Sequence, residues 1–228
     1  MSDSVERETG VLFGKLWGAL SDTQYRDSAE LFRKRAISNG FDLEWLRNKK
    51  CLDAGCGSGR SSVAMAIHGA SQITAIDISE SGLNEARSRA KNFESILFKQ
   101  ASILDLPFND MTFDFVWCAG VIHHTSSFEG ALNELTRVLK PGGMIFLLIY
   151  GTGGLRWKLI KALRPIVVDL GQEFIDKAMS VAEFPANNRK HFMDDLFVPI
   201  QKLTSLSEIT SELHKRGFDD INRWSGET

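Results

Sequence analysis

A run of ten residues carries the strongest chemical signal in the sequence: Cys51-Leu52-Asp53-Ala54-Gly55-Cys56-Gly57-Ser58-Gly59-Arg60. A short apolar segment ends in the carboxylate of Asp53, and glycine then occupies every second position as far as Gly59. Glycine permits positive φ angles and lets the backbone approach a ligand closely. Residues 61–67 read as the start of a helix, so we predict a strand, a tight turn and a helix N-terminus whose free N–H groups face a ligand.

The glycine spacing differs from the dinucleotide fingerprint G-x-G-x-x-G. Counted from Gly55, the third glycine of that fingerprint falls on Arg60, which argues against an NAD enzyme. A carboxylate at Asp53 would repel a diphosphate, whereas it suits a ligand that carries an ammonium group. S-adenosylmethionine (SAM) has an α-amino group and a sulfonium and no phosphate. The turn therefore predicts SAM, and a glycine-rich turn without a ligand is the alternative.

A second acidic residue, Asp77, ends an apolar, β-branched segment 24 positions after Asp53. An acid at the tip of the second strand of such a unit can accept hydrogen bonds from ribose hydroxyls. The alternative is that Asp77 caps the helix that follows, but Ser79 can provide that cap. We therefore predict that Asp77 binds ribose.

Two adjacent histidines, His123 and His124, follow an apolar segment over residues 112–118. Imidazole is the side chain best suited to remove a proton near neutral pH. We predict His123 and His124 as catalytic residues. The alternative for each is a structural role, packing against or capping the next helix.

Composition limits the functional classes. The chain has 228 residues, 43% of them hydrophobic, and a net charge of −2, which fits one α/β domain with an elaboration and makes nucleic acid an unlikely partner. Three cysteines form no ligand cluster, so we expect no metal and a reduced, cytoplasmic location. No apolar run reaches the roughly 18 residues of a transmembrane segment, and the charged N-terminus does not read as a signal peptide.

Strand and helix patterns alternate along the centre of the chain. Apolar segments at 72–77, 95–100, 112–118 and 144–150 are separated by helical patterns at 58–68, 79–92 and 127–139, the last ended by Lys140-Pro141-Gly142-Gly143. This alternation predicts an α/β fold with a doubly wound, mostly parallel, Rossmann-like sheet. The ligand then lies at the carboxyl ends of the strands, where the strand order reverses.

Helical patterns flank this core on both sides. Residues 1–48 predict an N-terminal unit with helices at about 10–20 and 25–39, which either covers the sheet edge or closes over the ligand. In the second case Trp17, Tyr25 and Arg33 or Arg35 are the candidates to contact the ligand, and Tyr25 is a predicted substrate contact. The core spans 49–150.

Residues 151–203 predict a helical insertion after the fifth strand. A basic amphipathic helix at 156–164 ends at Pro165, and a second helix covers about 167–182. The insertion is expected to cap the acceptor pocket; a dimer contact and a membrane surface are alternatives. The candidate acceptor contacts here are Arg189, Lys190, His191, Asp194 and Asp195, of which Arg189 and His191 are the predicted substrate residues. Residues 204–228 predict a helix at 205–216 and a strand at 218–224 that complete the core.

Taken in order, these motifs resemble those of the class I SAM-dependent methyltransferases, and most of all the ubiquinone/menaquinone-biosynthesis and small-molecule branch. The resemblance covers about residues 48–150. It rests on the Asp53 to Gly59 turn, Asp77, Leu106-Pro107-Phe108, Phe113-Asp114-Phe115-Val116, His123-His124 and Leu139-Lys140-Pro141-Gly142-Gly143.

By this resemblance the glycine turn holds the methionine part of SAM, residues 101–103 hold adenine, and 118–120 flank the methionyl chain. The implied cofactor contacts are Asp53, Ala54, Gly55, Cys56, Gly57, Gly59, Asp77, Ile78, Ser102, Ile103, Cys118 and Ala119. The family usually has an acid where Ser102 stands, so Ser102 is expected to bind adenine only modestly. The family also ends in two antiparallel strands, of which only one is counted here; the chain is either truncated or closes its sheet edge differently.

The resemblance implies methyl transfer from SAM to the oxygen, nitrogen or carbon of a small-molecule acceptor, leaving S-adenosylhomocysteine. A general base is needed where the acceptor is an oxygen. Alternatives are an RNA or protein methyltransferase that uses the basic helix 156–164, and a SAM-fold module that binds a partner without catalysis. A homodimer is compatible with the sequence.

Overall fold

The computed structural model describes residues 8–14 and 21–225. Its centre is an all-parallel five-stranded sheet in the order β3-β2-β1-β4-β5. The strands are β1 (Lys50–Ala54), β2 (Gln72–Asp77), β3 (Ile96–Gln100), β4 (Phe113–Ala119) and β5 (Leu139–Leu148). The doubly wound α/β fold expected from the sequence is confirmed.

Helices precede, connect and follow the strands. Residues 8–14 are helical (α1), and α2 is Asp22–Ser38. The connecting helices are α3 (Arg60–Ile67), α4 (Glu80–Arg89) and α5 (Phe128–Arg137), with short 3-10 turns at Leu43–Leu46 and Ile122–His124. After the sheet come α6 (Gly154–Leu170), α7 (Gln172–Val181), α8 (Ala186–Phe197) and α9 (Leu206–Lys215). No helix in the described ranges has the length and apolar character needed to cross a bilayer. Trp17 lies outside the described residues.

The strand order reverses between β1 and β4, because β1 pairs with β2 on one side and with β4 on the other. Asp53 is in register with Ala75 of β2 and with Trp117 of β4. The carboxyl ends of β1, β2 and β4 therefore meet at one edge of the sheet, and the loops that follow them form the candidate site.

Both faces of the sheet are buried. One face packs against α5 and α9 through residues such as Val116, Leu132 and Leu135, all fully buried. On the other, Trp117 stacks on Phe146 with ring centroids 3.9 Å apart. A central parallel strand covered on both faces explains the nearly continuous apolar sequence of β4.

The fifth strand begins earlier than the sequence predicts. α5 ends at Arg137 with Val138 as its C-cap, and β5 starts at Leu139, so Lys140-Pro141-Gly142-Gly143 lies inside the strand and does not stop the helix. The pairing with β4 shifts register between Phe113 and Phe115, and Gly142 has a φ of 73°. A bulge at a glycine accommodates the extra residues without ending the strand.

The insertion after β5 forms α6, α7 and α8, and the predicted helix end at Pro165 is wrong. α6 continues through Pro165 to Leu170, where Gly171 with a φ of 83° ends it. Proline removes one hydrogen bond, to the carbonyl of Lys161, but both residues are exposed, so water can satisfy that carbonyl. We call α6–α8 the cap.

The predicted strand at 218–224 is also wrong, because residues 218–225 have no regular secondary structure. Phe218 and Ile221 instead pack onto the main core. Trp224 packs against Phe146 of β5 and Phe41, with ring centroids 4.8 Å and 5.9 Å away. Side-chain packing here replaces strand pairing at the β5 edge.

Candidate cofactor and acceptor site

The glycine turn after β1 adopts the backbone conformation that its sequence requires. Gly55, Gly57 and Gly59 have φ angles of 83°, 52° and 78°. A Cβ atom at Gly55 would lie 2.3 Å from Cγ2 of Val121, whereas one at Gly57 would meet nothing within 4 Å. The turn is thus closed on the Gly55 side by the chain after β4 and open at Gly57.

Asp53 lies beneath this turn and is only 2% exposed. Its Oδ2 accepts a hydrogen bond of 2.6 Å from Oγ of Ser62 at the start of α3. Burial raises the pKa of Asp53 to about 7, and the nearby Asp77 carboxylate adds to that rise. Hydrogen bonds from the hydroxyl and the backbone of Ser62 oppose that rise. The sequence alone did not single out Ser62.

Asp77 joins the turn to the start of α4. Its Oδ2 accepts from the Gly57 N–H and its Oδ1 from the Ser79 N–H, both at 2.8 Å. Ser79 is the N-cap of α4, accepting from the Gly82 N–H at 3.3 Å, as the sequence predicts. Asp77 is therefore not wholly free, but each carboxylate oxygen keeps a lone pair for a ribose hydroxyl.

The other residues of the glycine turn, and those at the end of β4, have small or buried side chains. Ala54 is fully buried and Cys56 is 8% exposed, and burial raises the pKa of the Cys56 thiol, so it stays protonated. Cys118 at the end of β4 is fully buried as well. After Ala119, a Cβ at Gly120 would meet nothing within 4 Å. The oxygen Oγ of Ser58 is buried in the turn without a partner among the described residues.

The expected adenine end lies after β3. Oγ of Ser102 accepts from the Leu104 N–H at 3.2 Å, and Ile103 is buried. The carbonyl of Ile78 accepts from Nε2 of Gln100 at 2.9 Å. α1 covers this end so closely that a Cβ at Gly10 would lie 3.0 Å from Cγ2 of Ile78.

The two histidines after β4 are buried, at 0% and 4% exposure, and their environments differ. Neither ring nitrogen of His123 has a partner among the described residues. His124 has its Nδ1 2.8 Å from the carbonyl oxygen of Ile200. Burial lowers the pKa of His123 to about 2 and that of His124 to about 4, so both rings are neutral near pH 7. Phe13 of α1 packs on His124, with ring centroids 5.1 Å apart.

One of the cap's candidate residues, Asp194, meets the core at these histidines, and its neighbour Asp195 is paired within the cap. Asp194 accepts a hydrogen bond of 2.9 Å from the hydroxyl of Tyr150, which follows β5, and its Oδ1 lies 3.9 Å from Nε2 of His124. Asp195 is fully buried and pairs with Arg156 of α6. Sequence reasoning named both aspartates but not Tyr150.

The predicted substrate residues lie apart from this contact. Tyr25 is 7% exposed and packs with Val63 and Ala90, and its hydroxyl has no partner among the described residues. Nε of Arg189 lies 3.9 Å from Oδ1 of Asp176 on α7. His191 is exposed on α8. These three roles remain predictions.

A groove of about 640 Å³ lies at the opposite edge of the sheet, at the amino ends of the strands. Its lining includes Asn48, Lys50, Gln72 and Asp114 and none of the predicted site residues. Ligands of open α/β sheets bind at the carboxyl ends of the strands, so we assign no function to this groove.

Comparisons with known proteins cover the part of the chain that forms the candidate site at the carboxyl edge of the sheet. Residues 52–147 match the family model described as a methyltransferase domain. Those residues run from β1 through β5 and contain the glycine turn, Asp77 and both histidines. Residues 52–147 are thus similar to methyltransferase domains, and we call them the methyltransferase domain.

Two curated relatives are methyltransferases whose names refer to small-molecule substrates. The chain is 30% identical over 156 residues to 27-O-demethylrifamycin SV methyltransferase of Amycolatopsis mediterranei, covering 63% of this chain and 57% of the relative. It is 31% identical over 121 residues to demethylmenaquinone methyltransferase of Staphylococcus aureus, covering 52% and 49%. The chain thus spans about half the length of the curated relatives it matches.

A solved structure supports the fold. A SAM-dependent methyltransferase of Thermotoga maritima, described as a possible histamine N-methyltransferase, superposes with a TM-score of 0.56 at 18% identity. The match covers 93% of this chain and 82% of that one, so it includes the cap as well as the methyltransferase domain.

Proposed function

We propose that the chain binds SAM at the carboxyl edge of the sheet and transfers its methyl group to a small-molecule acceptor. The observation that carries the proposal is the pair of carboxylates around the glycine turn. The Asp77 carboxylate adds to the rise in the pKa of Asp53, and burial raises the pKa of both groups. A cationic ligand relieves this repulsion, whereas a diphosphate would add to it.

The residues present fit SAM at each end. The oxygen of Asp53 not bonded to Ser62 accepts from the α-ammonium group, and the lone pairs left on Asp77 accept from the ribose hydroxyls. The open backbone at Gly57 and Gly120 leaves room for the methionyl chain. Ile78, Ile103 and Ser102 border the adenine. When bound, SAM supplies an activated methyl group on a neutral leaving group, so the protein's share is to position the acceptor and exclude water.

His123 and His124 are the proposed acid–base residues for the acceptor. Both are neutral near pH 7 and therefore able to accept a proton. They lie on the turn that follows β4, next to residues 118–120, where the methyl group is expected. Their burial under Phe13 means that α1 must move before an acceptor reaches them.

Two of the four cations in the basic helix 156–164 are bonded within the protein, which disfavours an RNA substrate. Of its four cations, Arg156 pairs with Asp195, and Arg164 donates to the carbonyls of Asp195 and Val198. Lys158 and Lys161 are exposed, which is a smaller positive surface than RNA binding needs.

The test is methyl transfer itself. The protein is incubated with methyl-labelled SAM and, separately, with a panel of small hydroxy, amino and carbon acceptors, with total RNA and with a protein extract. We expect labelled product and S-adenosylhomocysteine only with small molecules. Label in RNA or protein would overturn the acceptor class, and SAM binding without turnover on any acceptor would favour a non-catalytic module.

A further inference from the structure

The first helix of the cap, α6, is held in a fixed rotation by contacts along one side. Ile160 and Val167 are buried there and pack with Leu196 of α8. Arg164 donates a hydrogen bond of 2.8 Å to the backbone carbonyl of Asp195, also on α8. These contacts decide which side of α6 faces α8, so the opposite side is turned outward by the fold itself.

The outward side of α6 carries an apolar stripe. Its members recur at intervals of four, four, three and four positions, which places them on one face of a helix. Each is between 44% and 71% exposed: Leu155, Leu159, Leu163, Ile166 and Leu170. Single exposed apolar side chains are ordinary on a protein surface, but five along one helix face indicate a surface that binds a partner.

Cations lie on both flanks of the apolar stripe. Lys158 and Lys161 are exposed and fall on one flank in a helical projection. Arg156 falls on the other flank, and its side chain stays 58% exposed although it pairs with Asp195. The only acid of α6, Asp169, comes in the last turn of the helix. Most of the stripe is therefore bordered by positive charge.

The surface of an anionic bilayer complements both features at once. The apolar stripe can enter the boundary between headgroups and acyl chains, while the flexible stems of the lysines carry their charges to the phosphates. RNA would complement the cations and leave the stripe in water. A second copy of the chain would cover the stripe but bring the same excess of cations against it, because residues 154–170 contain four cations and one acid.

We propose that the chain binds the surface of membranes that contain anionic lipids, with α6 lying in the plane of the bilayer and its apolar stripe inserted between the headgroups. With 17 residues and four cations, α6 suits that position and not a transmembrane one. Trp157 of α6 packs on Tyr150, with ring centroids 4.9 Å apart, so docking brings the residues that follow β5 close to lipid. The inference does not depend on the proposed function, since this binding needs neither SAM nor an acceptor.

The first experiment measures co-sedimentation of the whole protein with vesicles. One set is pure phosphatidylcholine, and the other contains about one third phosphatidylglycerol. We expect at least about tenfold stronger partitioning to the anionic vesicles, most of which is lost when NaCl is raised to about 0.5 M. Equal partitioning to both sets, or no binding to either, would overturn the proposal.

The combined change Leu159→Gln and Leu163→Gln removes the centre of the stripe without altering charge. Both side chains are exposed and glutamine is nearly as good a helix former as leucine, so the variant should unfold at the wild-type temperature. Partitioning to anionic vesicles should fall at least about 30-fold. The matched control is Ile67→Gln, which replaces an exposed apolar side chain of α3 and should leave partitioning unchanged. A double variant that binds as the wild type does would contradict the proposal.

The combined change Lys158→Gln and Lys161→Gln tests the charge. Partitioning to anionic vesicles should fall about 30-fold, whereas the weak partitioning to neutral vesicles should not change. Lys34→Gln with Lys91→Gln removes the same charge from exposed positions on α2 and after α4, and should keep partitioning within about twofold of the wild type. Equal losses for the two pairs would mean that net charge and not α6 drives binding, and would overturn the proposal.

A fluorescent label locates the contact directly. The native cysteines Cys51, Cys56 and Cys118 are buried, so a thiol-reactive nitrobenzoxadiazole should label only the new cysteine of Leu163→Cys. On anionic vesicles its emission should rise several-fold and shift to shorter wavelength, while the same label on Lys91→Cys should not respond. Equal responses at the two positions, or none at Leu163→Cys, would contradict insertion of α6.

Sedimentation velocity without lipid tests a second copy as the occupant of the stripe. We expect the wild type and the combined Leu159→Gln and Leu163→Gln variant to have the same sedimentation coefficient. A wild-type dimer that this variant dissociates would show that the stripe is a subunit contact and would overturn the proposal.

Discussion

The two halves of the candidate site are held together in different ways. Around the glycine turn, carboxylates bond to nearby backbone and side-chain donors: Asp77 to Gly57 and Ser79, and Asp53 to Ser62, over separations of at most 20 residues. At the cap, the bonds join distant parts of the chain, 44 residues apart for Tyr150–Asp194 and 76 for His124–Ile200.

This difference has a functional consequence. The cofactor half is built within one strand–turn–helix unit and the strand beside it, so its shape should not depend on the cap. The proposed acceptor half exists only when α8 is docked on the ends of β4 and β5. We therefore expect that changes at the glycine turn affect SAM binding, whereas changes at the cap affect turnover and stability.

The largest effect is expected from Gly55→Ala. Its Cβ would overlap Val121 at 2.3 Å, and its φ of 83° disfavours any side chain. Overpacking and backbone strain together should cost about 3 kcal/mol of unfolding free energy and abolish SAM binding. Chemical denaturation and calorimetry measure the two effects.

Two variants separate these causes. Val121→Ala in the Gly55→Ala background removes the overlap but not the strain, so it should recover part of the lost stability. Gly40→Ala, at a φ of 72° with open space around it, should cost only about 1 kcal/mol. Equal losses for Gly55→Ala and Gly40→Ala would mean that the Val121 contact does not close the turn.

Asp53→Asn should weaken the binding of SAM and, at high pH, raise the stability of the fold. The uncharged amide cannot pair with an ammonium group, so the Kd for SAM should rise about 30-fold, or about 2 kcal/mol. Burial raises the pKa of Asp53 to about 7 in the folded protein, so stability is lost as the pH rises from about 4 to about 7. The variant escapes that loss and should unfold about 4 °C higher at pH 8.

Calorimetry at several pH values checks the same group in the wild type. SAM binds the ionised carboxylate, so affinity should weaken as the pH falls below about 7. An affinity independent of pH in the wild type, or a Kd unchanged in Asp53→Asn, would show that Asp53 does not bind the cofactor.

Arg156→Gln tests the cap half. It leaves the buried carboxylate of Asp195 without its cation and should lower the unfolding free energy by about 1–2 kcal/mol. Because the pair lies in the cap, the Kd for SAM should stay within about twofold of the wild type. A large loss of SAM affinity would show that the two halves of the site are coupled.

The smallest effect is expected from Ser102→Asp. A charged acceptor bonds the adenine amino group more strongly than a hydroxyl, so SAM affinity should rise about threefold. An unchanged or lower affinity would show that residues 101–103 do not hold the adenine.

Sequence patterns predicted the elements whose structure is determined locally. Ser79 caps α4, and strands β1 to β4 lie close to where alternation and apolar runs indicate them. Fully buried parallel strands and glycine turns have strong local signatures, so these features needed no tertiary information.

The wrong predictions occur where tertiary contacts decide the structure. The residues around Pro165 stay helical because Ile160 and Val167 on either side of the proline are buried in the cap. Residues 218–224 have a strand-like pattern, but Trp224 packs on Phe146 and Phe41 instead. The bond between Tyr150 and Asp194 could not be predicted either, because nothing local to Tyr150 indicates where α8 docks.

Calorimetric titration with SAM, S-adenosylhomocysteine and NAD tests the central claim most directly, namely that the two carboxylates select a cationic nucleoside. We predict that SAM and S-adenosylhomocysteine bind with one site per chain, that Asp53→Asn weakens both, and that NAD gives no heat of binding. Binding of NAD with equal or higher affinity, or no binding of SAM by a folded protein, would contradict the account.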